Sequence, residues 1–139
     1  MSEARRTVIS RAKGEPMDWK IELIFVPVTD VDRAKHFYTA IGFHADHDST
    51  PHEGLRFVQL TPPGSACSIA IGAGLGVEMA PGTLHAIQVV VTDADAALAQ
   101  LHDAGVDAEG VEELDWGRFV HFADPDGNRW TLQQLPAWS

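Results

Sequence analysis

The chain repeats itself, and the repeat constrains its fold more than any other feature. Val26-Pro27-Val28-Thr29-Asp30-Val31-Asp32-Arg33-Ala34 returns as Val89-Val90-Val91-Thr92-Asp93-Ala94-Asp95-Ala96-Ala97, an offset of 63, and Gly42 returns as Gly105 at the same offset. Arg56-Phe57-Val58-Gln59-Leu60 returns as Arg118-Phe119-Val120-His121-Phe122 at 62, and Gly64 and Gly127 restore the 63. Four matches in one order describe two copies of a module of about 60 residues, each able to bury its apolar face only against a neighbour.

Both copies read alike. An apolar, β-branched run of strand length comes first, Ile21 to Val28 and Leu84 to Val91. Thr-Asp follows, a helix start whose side-chain oxygen can cap free backbone N–H groups. Val31, Ala34, Phe37, Tyr38 and Ile41 then fall on one helical face, as do Ala94, Ala97, Leu98 and Leu101. Gly42 and Gly105 stand where a left-handed C-terminal cap is wanted. Three strand-like stretches complete each module, the last two separated by Pro62-Pro63-Gly64 or Asp124-Pro125-Asp126-Gly127-Asn128. The expected fold is α+β, a βαβββ module present twice. One domain over 17–139 is expected, with modules at about 18–72 and 83–135, a Gly-rich linker at 73–82, and a disordered extension at 1–16.

With these modules, Val-Thr-Asp followed by Phe37-Tyr38 and Gly42-Phe43, and the turn Phe122-Ala123-Asp124-Pro125-Asp126-Gly127-Asn128, the sequence from Asp18 to Leu135 resembles the vicinal oxygen chelate superfamily. That family includes glyoxalase I, bleomycin-resistance proteins and extradiol dioxygenases. The resemblance implies curved sheets enclosing a cavity, often completed by a homodimer. It also implies a divalent metal that polarises two neighbouring substrate oxygens. The metal's four ligands would come from the first and last strand of each module, seven residues before each helix-starting Asp and four after each turn glycine. Those positions hold Leu23, Ser68, Ala86 and Thr131. Leu and Ala cannot ligate, and lone hydroxyls are feeble ligands, so neither metal nor cofactor is expected. A β-bulge turning Glu22, Cys67 and His85 inward would revive a metal site. A one-residue slip, however, would send Ile24, Val26 and Val28 to the cavity side and strip the helix of its packing surface.

Period two places Leu23, Phe25, Phe57, Gln59, Ser68 and Ala70 on the face of the vacant positions in the first module. In the second it places Ala86, Gln88, Phe119, His121, Thr131 and Gln133 there, with Trp116 and Trp130 near enough in sequence to close a rim. An aromatic lining with a few neutral polar groups suits a small organic ligand; a plain filled core is the other reading. His121 is the one proton carrier read onto that face, with no Asp or Glu assigned beside it, and is the candidate catalytic group. Two functions follow. One is a metal-free protein that binds or sequesters a small molecule, as in the bleomycin-resistance branch. The other is an enzyme, either using His121 without metal or a divergent lyase or isomerase of the lactoylglutathione-lyase type, or a dioxygenase.

Charge narrows the partners. Beyond Lys20 the chain holds 5 basic and 17 acidic residues, whereas Arg5, Arg6, Arg11, Lys13 and Lys20 crowd the first twenty. So acidic a body repels phosphate backbones and anionic lipid, and neither nucleic acid nor membrane is an expected partner. A single cysteine, no apolar run of bilayer length and no signal-like N-terminus fit a cytoplasmic protein.

Overall fold

The computed structural model describes Gly14 and residues 16–137; the extension expected at 1–16 falls almost wholly outside the described residues. The repeat folds as read. β1 (Leu23–Phe25), α1 (Val31–Ala40), β2 (His44–His52), β3 (Leu55–Thr61) and β4 (Ser68–Ala73) make the first module. β5 (Ile87–Val90), α2 (Ala94–Asp103), β6 (Glu109–Leu114), β7 (Gly117–Ala123) and β8 (Arg129–Gln134) make the second. Each sheet has four strands in the same order, β1-β4-β3-β2 and β5-β8-β7-β6. The first strand of each is parallel to the last, and the remaining pairs are antiparallel.

Local chemistry explains the boundaries. The Asp30 carboxylate accepts from Arg33 N at 3.0 Å and Asp93 from Ala96 N at 3.1 Å, capping both helices. Gly42 leaves α1 at φ +110°, a left-handed value that a Cβ would strain. The apolar runs at Ile21–Val28 and Leu84–Val91 shorten to strands of three and four residues, the stretches that pair with β4 and β8.

Alternation sorts the strands into two faces. Val58 and Leu60 on β3 and Ile69 and Ile71 on β4 face Ala34 and Tyr38 of α1 in the core. Val120, Phe122, Trp130 and Leu132 form the matching layer with α2, and the two layers make one cluster. They join through aromatic rings of α1 and its C-terminal turn. Tyr38 and Phe43 lie 5.6 and 5.5 Å from Trp130, and Phe37 lies 6.2 Å from Phe122. Trp130, expected near a cavity rim, is therefore only 2% exposed and sits between the modules. β8 turns Trp130 to the core while Thr131 takes the other face.

The Asp124–Asn128 turn fastens this junction. Asp124 accepts from Tyr38 Oη at 2.7 Å and from Asn128 Nδ2 at 2.8 Å, while Trp130 Nε1 donates to Tyr38 Oη at 3.1 Å. Asn128 Nδ2 also donates to Pro27 O at 2.8 Å, and Asp126 accepts from Thr29 Oγ1 at 2.7 Å. Burial, and then the Asp124 carboxylate, push the Tyr38 hydroxyl far above the usual tyrosine range. Tyr38 is the chain's single tyrosine. In the unfolded chain it loses its proton near pH 10, whereas in the fold it keeps it; its contribution is full below about pH 10 and is lost as pH rises further. An ultraviolet titration should show tyrosinate only as the protein unfolds. Reversible ionisation near pH 10 in folded protein would contradict this network.

Candidate functional site

The sheet faces opposite the core are only partly exposed, and Phe119 on the second is buried at 5% exposure. On the first, Phe25 is half-exposed, whereas Gln59, Ser68 and Ala70 are buried. Gln59 Nε2 donates to Ser68 Oγ at 3.2 Å, and the Ser68 and Thr61 hydroxyls lie 2.6 Å apart. Thr61 Oγ1 donates in turn to Asp46, whose other oxygen meets His44 Nδ1 at 3.0 Å. Partial burial would raise the Asp46 pKa, but the hydrogen bonds from Thr61 and His44 outweigh it and hold the carboxyl below its usual range. Leu23 and Phe57 are half-buried on the same face. A recess of about 310 Å³ opens between Phe25, Ala70 and the linker residues Leu75, Val77 and Met79.

The second face carries the more polar half. Gln88 Nε2 donates to Gln133 Oε1 at 2.7 Å, and Gln133 Nε2 to Trp116 O at 2.9 Å, so one amide chain crosses from the edge strand to the β6–β7 hairpin. Trp116 itself is 57% exposed. The Phe119 and His121 rings are nearly parallel, with centroids 6.4 Å apart. His121 Nδ1 lies 3.1 Å from Thr131 Oγ1, and its Nε2 lies 3.4 Å from Glu112 Oε1. His121, Thr131, His85 and Glu109 line a recess of about 510 Å³ at one end of this face. A further recess of about 410 Å³ separates the two sheet edges and brings Ser68 and Gln88 to common walls. The other candidates stay on their own sheets.

Two irregularities change the reading. His121 does not lack a carboxylate: Glu109 pairs with His121, and Glu112 pairs with Phe119 across a register shift at Gly110–Glu112. Three β6 residues thus span two of β7, which brings both glutamates to one face, where strict alternation from Glu109 would place Val111 and Glu113 there. Gly110, at φ +140° with its missing Cβ 2.7 Å from Phe119 O, was the available signal. The second irregularity concerns Ala86. Leu23 faces Ser68, but Thr131 faces Gln88, and Ala86 precedes β5 in an exposed position. Between the Leu84 carbonyl, which accepts from Arg129 N, and the Ile87–Trp130 pair, the first strand holds one residue more than the last.

The family's divalent metal can now be tested against its donors. Leu23, Ser68 and Thr131, with Ala86 by spacing or Gln88 by register, present two hydroxyls and at most one amide. Such a set, without imidazole or carboxylate, does not fit the metal. Directly after Glu22 and Cys67 the ladder Leu23–Ser68, Ile24–Ile69, Phe25–Ala70 runs without interruption, and Ser68 N donates to Glu22 O at 3.0 Å. His85 Nε2 lies 2.8 Å from Gly82 O. Among the described residues, no three His, Cys, Asp or Glu side chains gather as a metal site requires.

Paired βαβββ modules, two four-stranded mixed sheets with one helix each, define the class of fold. The profile of the Glyoxalase/Bleomycin resistance protein/Dioxygenase superfamily matches residues 20–132, and the chain belongs to that family. It is 33% identical to TnmS3, an antibiotic binding protein from Streptomyces sp. CB03234, whose crystal structure superposes with a TM-score of 0.78, covering 88% of this chain and 100% of that one. A glyoxalase/bleomycin resistance protein from the same Streptomyces is 35% identical, with a TM-score of 0.73 and coverage of 83% and 100%. Among curated proteins, the uncharacterized YetH of Bacillus subtilis (strain 168) is 27% identical over 119 residues, 83% of this chain and 98% of that protein.

Proposed function

We propose that the protein binds a small planar organic molecule of antibiotic-like class, without a metal, in a cleft that a second copy of the chain completes. The observation that carries this reading is the donor set: the positions from which the family holds its metal offer Leu23, Ser68, Thr131 and Ala86 or Gln88. What remains accessible on the two faces is a set of rings, Phe25 and Trp116 exposed and Phe57 half-buried, with the Gln88 and Gln133 amides, which orient a flat ligand by stacking and a few hydrogen bonds, while Phe119 and Gln59 lie buried behind them. The similarity to an antibiotic binding protein supports the same class. The homodimer is supported by partly exposed faces and by β1 and β5, each an edge strand; an interface above about 1,000 Å² is expected. No described helix is long and apolar enough to cross a membrane, and the composition supports a cytoplasmic setting.

One contact favours a second reading. His121 touches both Thr131 and Glu112, an imidazole held between a hydroxyl and a carboxylate, which is an arrangement suited to proton transfer. One experiment separates the two readings. Protein dialysed against EDTA is titrated with planar aromatic antibiotics, following tryptophan fluorescence, and compared with His121→Gln. Binding is expected to saturate without metal, and His121→Gln to weaken it by no more than about tenfold, the worth of one hydrogen bond. Binding that needs added divalent metal would overturn the proposal. A turnover that falls about 10²-fold or more in His121→Gln would establish the enzyme instead.

A further inference from the structure

Strand β4 carries only small residues on the face turned from the core. Ser68, Ala70 and Gly72 alternate there with Ile69 and Ile71, which join the core cluster. Taller side chains stand on both neighbouring strands: Leu23 and Phe25 on β1, Phe57 and Gln59 on β3. A trough therefore runs along β4. At one end it meets the recess of about 310 Å³ lined by Phe25, Ala70, Gly72 and the linker residues Leu75 and Met79. A column of small residues by itself names no ligand. The amide beside it does.

Gln59 is 3% exposed, and among the described residues no donor reaches its buried Oε1. Turning the amide over does not cure this, because its neighbours fix its direction. The ionised Asp46 carboxylate can only accept, so Thr61 Oγ1 gives it its one hydrogen. The Ser68 hydroxyl, 2.6 Å from Thr61 Oγ1, must then be the donor of that pair. Its oxygen is left to accept, and Gln59 Nε2 donates to it at 3.2 Å. The chain runs one way, from amide to carboxylate. Since Nε2 reaches Ser68 in the trough, the amide lies against that trough with its oxygen unanswered. A buried acceptor without a donor is costly, and folded proteins rarely keep one. A bound molecule that brings an O–H or N–H to Oε1 removes the cost. One that brings a carbonyl or ether oxygen meets like polarity and is rejected.

We propose that Gln59 Oε1 reads a hydrogen-bond donor on the bound molecule, whose edge enters the β4 trough beside Phe25. The site then takes flat molecules edged with O–H or N–H and discriminates against those edged with carbonyl or ether oxygens alone. This rests on the binding reading above and adds the polarity of the ligand. It is tested by calorimetric titration of the full-length protein with β-naphthol and with its methyl ether, which differ in the donor. Wild type should bind the naphthol at least about tenfold more tightly, the worth of one hydrogen bond. Gln59→Met, similar in length and without the amide, should keep the urea midpoint of wild type and bring the two affinities within about threefold of each other. Ser68→Ala, which removes the oxygen that fixes the amide, should also narrow the difference. A smaller preference in wild type, or a preference that survives in Gln59→Met, overturns the inference and leaves the binding reading intact. So does binding of neither compound by protein that takes the planar antibiotics titrated above. Protein that takes none of these molecules overturns both.

Discussion

Asp124→Ala should lower the unfolding free energy by about 3 kcal/mol or more, read from the urea midpoint at neutral pH. The carboxylate is 5% exposed and accepts four hydrogen bonds: from Tyr38 Oη, from Asn128 Nδ2, and from the backbone N–H groups of Asp126 and Asn128 at 3.0 and 2.9 Å. Removing it leaves a buried phenol and a buried amide short of an acceptor, and each orphaned donor costs about 1–3 kcal/mol. Against a total stability of about 5–15 kcal/mol for such a domain, the loss is large. Asp124→Asn retains one acceptor oxygen and should cost roughly half as much. A midpoint for Asp124→Ala within about 1 kcal/mol of wild type would mean that the network is not what joins the modules.

That network marks a limit of reading the sequence alone. Asp124-Pro125-Asp126-Gly127-Asn128 reads as a tight turn, and it is one. Its side chains nevertheless bond to Pro27, Thr29, Arg33 and Tyr38, about a hundred positions earlier. Turn chemistry is local, so it announces the bend and not the partner. The repeat, by contrast, was legible because each module must bury the same stripe, and the capping roles of Asp30, Asp93, Gly42 and Gly105 follow from φ and hydrogen-bond needs alone.

On β3, period two sets Phe57 and Gln59 apart from Val58 and Leu60, which join the core cluster; on β6 the bulge breaks that alternation and puts Glu112 where Glu113 would stand. One extra residue between Leu84 and Ile87 sets Gln88 against Thr131, and the shift at Gly110–Glu112 brings Glu112 to His121. Bulges change which residues meet across strands while leaving the hydrophobic pattern almost intact. Trp130 shows the same limit for packing. Its alternation marks a face, but only the docking of Tyr38 and Phe43 shows that this face is the junction between modules.

Gly82→Ala is the companion to Asp124→Ala, because it strikes the same junction from the linker side. Gly82 lies at φ +77°, where an L-residue costs about 1–2 kcal/mol. A Cβ there would stand 2.1 Å from Asp126 O, a backbone atom. The carbonyl cannot retreat freely, since Asp126 N bonds Asp124 Oδ1 at 3.0 Å and the Asp126 carboxylate holds Thr29 N at 3.1 Å. Strain and clash together should cost about 2–4 kcal/mol, measured by urea unfolding. The two substitutions should not add. Once Asp124→Ala has loosened the turn, the Asp126 carbonyl can move away from the new methyl group, so the double variant should lose about 1 kcal/mol or more less than the sum of the singles. Strict additivity would place Gly82 outside the clamp and leave only its backbone conformation to explain the loss. A measured coupling would make the linker, the turn and the first strand's exit one mechanical unit. Such a unit would fix how the two sheets stand to one another, since its hydrogen bonds run from the second module's turn to Pro27, Thr29 and Tyr38 of the first.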